Sequence, residues 1–413
     1  MNALIDRKLP ALAEHSLRRR MVWLVAAQSG TAALWLFTLT AAATAQMSMR
    51  GTTTVVAGAF AGIALGGVAT GALLRTIPAY ALLRGAEAIR LLVILAAMLA
   101  VDHLRIGVLV ALCVAASLCE SAISACRWQL VQWRFAAPQA REEVSKHLQT
   151  LEAFLAVALP VMGGAAAVLF GWRASLSGCL AGSAGALLFI HLLGADNRDG
   201  NHVRHGAMAG FSAIQASPSI RLLLLARVLT GSSLLIWAIY VPVALKGMFP
   251  GKFPLYQGAL SGLTAAAIVG ASVILIPCAK LRNIGTLPAS RYLAVAALTV
   301  YGTALLVALF CWPSAWAYAA SAIALGLYSA AIRTSIVITG QRITPPNLMA
   351  QVVSAGDSIV RSINLALALA FSSLVSLLAS DAARAALFAT MVAISVGAVL
   401  MMARLGGRDC PAA

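Results

Sequence analysis

Four ionisable side chains stand inside stretches that are otherwise apolar: Glu120, Arg227, Asp357 and Arg361. A charge at bilayer depth costs about 2.5–3.5 kcal/mol on insertion scales, so such residues turn towards a bundle interior or a cavity. A buried carboxylate that alternates between charged and neutral is what proton-driven transport requires, which makes Glu120 the candidate for proton coupling. The plainer reading makes Glu120 the structural partner of a nearby arginine such as Arg127. Asp357 and Arg361 are spaced i, i+4, share a helix face and can form a local ion pair. Arg227, about two turns into its helix, can meet an anionic substrate or snorkel to the surface. Trp35, Trp237 and Tyr240 are interface anchors by default, with ligand stacking in a cavity as the sharper alternative. Glu152, near the start of a helix, answers Lys146 or Arg141.

The scaffold for these side chains is set by composition. Of 413 residues, 61% are hydrophobic and 10% charged, against about 25% charged in ordinary globular proteins. That balance belongs inside a bilayer. Twelve apolar runs of spanning length are expected, at 21–45, 52–74, 86–102, 105–128, 148–170, 174–194, 220–245, 256–279, 290–312, 314–339, 349–379 and 382–403. The fold class is therefore an all-α polytopic membrane protein.

The stretch from Glu120 to Gly164 has a cousin from Gly326 to Ala370, about half a chain later. In each, an arginine (Arg127, Arg333) closes a helix rich in small residues and a proline (Pro138, Pro345) sits in the connection. Internal repeats of this kind are typical of transporters. The expected organisation is an N-terminal segment 1–20, a six-helix bundle 21–194, a solvated linker 195–219, a second bundle 220–403 and a tail 404–413. With the N-terminus inside, twenty-two Lys and Arg residues fall on the cytoplasmic side and six outside, so both termini are expected to be cytoplasmic. The net charge of +17 would point to nucleic acid in a soluble protein, but these cations lie between apolar runs, and no nucleic-acid partner is expected.

Six plus six helices, a central loop and a basic loop after the second helix resemble the major facilitator superfamily. More narrowly, the chain resembles bacterial exporters related to the enterobactin exporter and to tetracycline-type drug pumps. The family's loop-two motif falls on Gly71 through Arg84, with Arg75 where an aspartate is expected and Pro78 where a glycine is expected. An acid and an arginine at the start of the third helix match Glu87 and Arg90. The antiporter motif of the fifth helix keeps its second half as Pro160, Gly163 and Gly164, while Leu155 and Leu159 replace earlier glycines. In relatives this motif accompanies export. The resemblance implies a gating latch as well, and Arg75 pairing with Asp357 would be its charge-swapped form.

No Walker loop, G-x-S-x-G, H-E-x-x-H or metal-ligand cluster occurs, and none of the seven cysteines forms a C-x-x-C pair, so no enzyme activity, cofactor or metal is expected. The glycine spacings Gly58/Gly62/Gly66, Gly178/Gly182 and Gly258/Gly262 mark close helix seams. The expected function is proton-antiport export of a small organic molecule, a siderophore or drug-like amphiphile, across the inner membrane by a monomer. An uptake permease of the same fold, a lipid flippase and a non-transporting sensor are the alternatives.

Overall fold

Backbone with no water to bond must satisfy its own N–H and C=O groups, so apolar runs of this length become helices. The computed structural model describes residues 2–46, 49–100, 106–135, 138–194, 208–281, 299–300, 314–344, 348–377 and parts of 389–401. They form α1 (Asn2–Gln46), α2 (Met49–Leu73), α3 (Ala79–Ala100), α4 (Ile106–Arg134), α5 (Pro138–Phe170) and α6 (Trp172–Leu193). After these come α7 (Ala209–Ala216), α8 (Pro218–Met248), α9 (Phe253–Leu281), α10 (Ala315–Ile343) and α11 (Met349–Leu377). No strand occurs among the described residues.

Five of these helices are long and apolar enough to cross a membrane, or six when α7 and α8, bent by 103° to one another, count as one span. Helix α3 is as apolar but carries three charged residues, Arg84, Glu87 and Arg90. The expected ninth span lies almost wholly outside the described residues, and the twelfth lies partly so. Polarity is inverted relative to a soluble protein. Leu99, Phe170 and Trp316 face outward at 75%, 76% and 84% exposure, while Gln28, Thr52, Glu87 and Asn364 are fully buried.

Small residues set the packing. Added side-chain carbon at Gly66 would sit 2.8 Å from the Leu118 carbonyl and 2.9 Å from Ser121 Cβ, so α2 lies directly on α4. The opposite face of α2 meets α11, where Gly67 presses on Ser354 and Ser358. Gly164 and Gly258 lock α5 to α9, each backbone-close to the other helix (Pro254 and Pro160 carbonyls). Gly326 of α10 lies against the Thr264 carbonyl of α9, repeating in the second half of the chain what Gly66 does in the first. Helices α4 and α10 are both 29 residues long.

Three details go beyond the expected organisation. Helix α1 runs unbroken from Asn2 into its span at Ser16–Ala45, so the N-terminal segment is helical and continuous with the first span. Residues 195–207 lie outside the described set, but the rest of the expected solvated linker is folded. There α7 docks on α11, Gly210 sits on the Gln351 backbone, and Ile214 packs with Ile220, Val352 and Ala355. Ser217 ends this element and caps α8, accepting the Ile220 N–H at 3.4 Å, with Pro218 in the first turn. The fourth helix runs on past the expected end at 128 to Arg134, so Glu120 stands near its middle, about four turns from that end.

Candidate functional site

Charged groups in the first half of the chain form one connected network in the interior. Glu87 and Arg90 lie three residues apart on α3, on the same face of the helix. Arg90 Nη2 donates to both Glu87 oxygens at 2.7 and 2.9 Å, and Nε donates to Oε1 at 3.1 Å. Ser183 of α6 adds a hydroxyl donor to Glu87 at 2.5 Å, and Gln28 of α1 an amide donor at 3.5 Å. Glu87 is thus saturated with donors and fully buried. Such charge-assisted, forked bonds are the strong kind.

Glu120 of α4 holds the other side of the same guanidinium. Arg90 Nη1 donates to its Oε2 at 2.7 Å, the one hydrogen bond to its carboxylate among the described residues. Its side chain keeps 26% exposure, whereas those of Arg90 and Glu87 keep 3% and 0%. Two turns along α4, Arg127 pairs with Glu152 of α5 at 2.5 Å and donates to Ser29 Oγ of α1 at 3.1 Å. Ser29 in turn donates to Glu152 at 3.2 Å. Gln28 and Ser29 are neighbours on α1, so one turn of that helix touches both arginine centres; Arg90 Nη1 also reaches the Gln28 carbonyl at 3.4 Å. Among the described residues, Glu87, Glu120 and Glu152 thus gather around Arg90 and Arg127.

The second half is built differently. Arg227 of α8 pairs with Asp357 of α11. Arg361 lies over the Phe60 ring of α2, 5.1 Å from its centre, in a cation–π contact. Ser232 Oγ donates to Asn364 Oδ1 at 2.9 Å.

These partners replace several that sequence spacing favoured. Glu120 takes Arg90 rather than Arg127, because Arg127 is held two turns away by Glu152. Glu152 pairs with Arg127; the side chains of Lys146 and Arg141 lie outside the described residues. Asp357 takes Arg227 from a neighbouring helix rather than Arg361 from its own, because Arg361 points to α2. The Arg75–Asp357 latch is not formed: Arg75 is exposed at the end of α2, and the α2–α11 seam is made instead by Gly67 against Ser354 and Ser358. Trp35 is buried at 6% exposure, in the core with Leu39, Val55, Ile94 and Leu176. Trp237 is buried on α8, and the Tyr240 side chain lies outside the described residues. Pro160, Gly163 and Gly164 lie on α5 facing α9 and α1: Gly163 abuts Leu34 and Phe37. Gln28, Ser29 and Ser183 were missed, although polar residues within apolar runs are themselves the signal that finds them.

No protein-family model matches the sequence, and no curated protein sequence matches it either. Among solved structures, a bacterial homologue of the iron transporter ferroportin in an outward-facing state aligns over 95% of this chain and 100% of its own, with TM-score 0.69 and 16% identity. The nucleoside transporter NupG aligns over 95% of this chain and 100% of its own, with TM-score 0.63 and 12% identity. The major facilitator proton:xylose symporter XylE, bound to 6-bromo-6-deoxy-D-glucose, covers 95% and 96%, with TM-score 0.64 and 14% identity. At such identities the likeness is one of fold: this chain has the major facilitator fold. All three are transporters rather than enzymes.

Proposed function

We propose that the protein is a secondary active transporter that exports a small organic molecule, a siderophore or drug-like amphiphile, across the inner membrane by proton antiport. It works as a monomer with both termini in the cytoplasm. Its two six-helix halves, residues 21–194 and 220–403, rock about a central polar path joined by the 195–219 connection.

The observation that carries this reading is the unequal treatment of two carboxylates on one guanidinium. Glu87 is held by Arg90, Ser183 and Gln28 and serves as an anchor. Glu120 has a single bond among the described residues and keeps 26% side-chain exposure. Removing one partner of a buried ion pair costs about 3–5 kcal/mol, and an uncompensated buried charge is avoided. Glu120, held less completely than Glu87, is the carboxylate of this cluster that exchanges a proton. Loading a proton frees Arg90 from Glu120 without loosening Glu87. Export rather than uptake follows the Pro160–Gly164 remnant, which resembles the antiporter motif and lies on the α5–α9 seam.

Cells lacking the protein test the reading. Retained siderophore or heightened sensitivity to amphiphilic drugs, reversed by the wild-type chain, is the expected result. Accumulation of the compound by the wild-type chain would make it an uptake permease, and movement of labelled lipid in vesicles would make it a flippase.

A further inference from the structure

Halfway along their helices, the two halves of the chain meet on a cation. Phe60 is the twelfth of the 25 residues of α2 and Arg361 the thirteenth of the 29 of α11, and the guanidinium lies over the ring, 5.1 Å from its centre. A charge at that depth is costly and, where kept, marks a substrate or ion path. In transporters built of repeats, substrate sites lie near that level, between the repeats. The contacts of α11 set Arg361 between two neighbours. Ser354 and Ser358 press on Gly67 of α2, while Asp357 and Asn364 bond to Arg227 and Ser232 of α8. Arg361 stands between these faces, one turn from Asp357. Two turns further on, Ala368 packs with Val56 of α2 and Ile239 of α8.

Three features of this seam favour an anion. Arg227 keeps 41% side-chain exposure against 11% for Asp357, and its one hydrogen bond among the described residues goes to that carboxylate. A guanidinium carries five N–H donors in a rigid fork, so Arg227 can serve a second acceptor. A guanidinium laid on an aromatic face, as Arg361 is on Phe60, presents its N–H edge to planar oxyanions. Asn364 is fully buried, and the end of its amide turned from Ser232 has no partner among the described residues. Beyond Arg361 the seam turns apolar through Val56, Phe60, Ile239 and Ala368.

We propose that Arg227 and Arg361 bind the carboxylate of an amphiphilic organic anion whose apolar body lies along Val56, Phe60, Ile239 and Ala368. Asp357 occupies Arg227 until that carboxylate replaces it. The inference rests on the chain being an exporter of a small organic molecule, and it gives that molecule its polar end. The replacement swaps one carboxylate for another on Arg227, so no covalent bond changes.

Equilibrium dialysis of radiolabelled 2-naphthoate against the full-length protein in lipid nanodiscs tests the site. Empty nanodiscs are the blank, and 2-naphthamide and 2-naphthylmethylammonium are the matched neutral and cationic probes. The wild type is expected to hold 2-naphthoate and neither of the others. Arg227→Gln and Arg361→Gln are each expected to weaken binding about tenfold or more, because each removes hydrogen bonds to a charged group. Arg361→Lys is expected to recover part of that loss. Asp357→Asn removes the competing carboxylate and is expected to tighten binding about two- to fivefold, a gain that misfolding cannot imitate. Equal binding of the three probes, preference for the ammonium, or an affinity unmoved in both glutamine variants overturns the site. Weaker binding in Asp357→Asn overturns the replacement. Binding is read without transport, so the two readings fail separately. Export by cells with no binding of 2-naphthoate overturns the site and leaves the exporter, whereas charge-selective binding by a chain that exports nothing keeps the site and ends the exporter.

Discussion

The two halves of the chain bury charge in opposite ways. In the first, Glu87, Glu120 and Glu152 surround Arg90 and Arg127, drawn from α3, α4 and α5 and bridged by α1. In the second, Asp357 faces Arg227, and Arg361 rests on an aromatic ring. Backbones of the two halves pack alike, with α2 on α4 through Gly66 and α9 on α10 through Gly326. A duplicated frame thus carries two unlike interiors. On the proposed reading, ion exchange belongs to the first half, and the second supplies the surface against which it closes.

That contrast can be broken experimentally. The largest effect is expected from Glu87→Ala, which strands the buried Arg90. Removing one partner of such a pair costs about 3–5 kcal/mol, so the melting temperature in detergent should fall steeply. Glu87 behaving like a surface acid would end its role as anchor. Next come Gly66→Val and Gly326→Val. Each forces a side chain into the neighbouring helix, and over-packing of this sort costs about 1–3 kcal/mol. Similar losses in thermal stability are expected at both, because the two seams are equivalent; a loss at one alone would confine the repeat to sequence. Asp357→Asn is expected to do least. The Arg227 side chain is 41% exposed and finds water when its partner goes, as partly solvated pairs are worth about 0.2–1 kcal/mol. Export driven by a proton gradient should survive this change. Its loss would put a second coupling site in the C-terminal half.

How much of this was legible beforehand follows from the physics of each signal. Hydropathy and small-residue spacing gave the helices and their seams, because lipid enforces both along one chain segment. The residue types were legible too: Glu120, Arg227, Asp357 and Arg361 stand out against apolar surroundings. Their partners were not. The i, i+4 rule describes exposed helix surfaces, and it favoured Asp357 with Arg361. Inside a bundle a desolvated carboxylate takes the best-aligned guanidinium on any neighbouring helix, which for Asp357 is 130 residues away in sequence. The same holds for Glu120 and Arg90, 30 residues apart. Glu87 and Arg90 stood out by resemblance, but their convergence with Glu120 depends on how α3 lies between α4 and α6. Trp35 illustrates the reverse case, since its amphipathic ring suits an interface or a cavity equally well and packing alone put it in the core.

The most direct test of the central claim compares gradient-driven export with passive exchange in vesicles carrying the purified Glu120→Gln variant and whichever siderophore or drug the cell assay identifies. Exchange at equilibrium should persist near the wild-type rate, because binding and rocking remain, while export driven by an inward proton gradient should vanish. Gradient-driven export at the wild-type rate would contradict the account and remove Glu120 from the coupling mechanism.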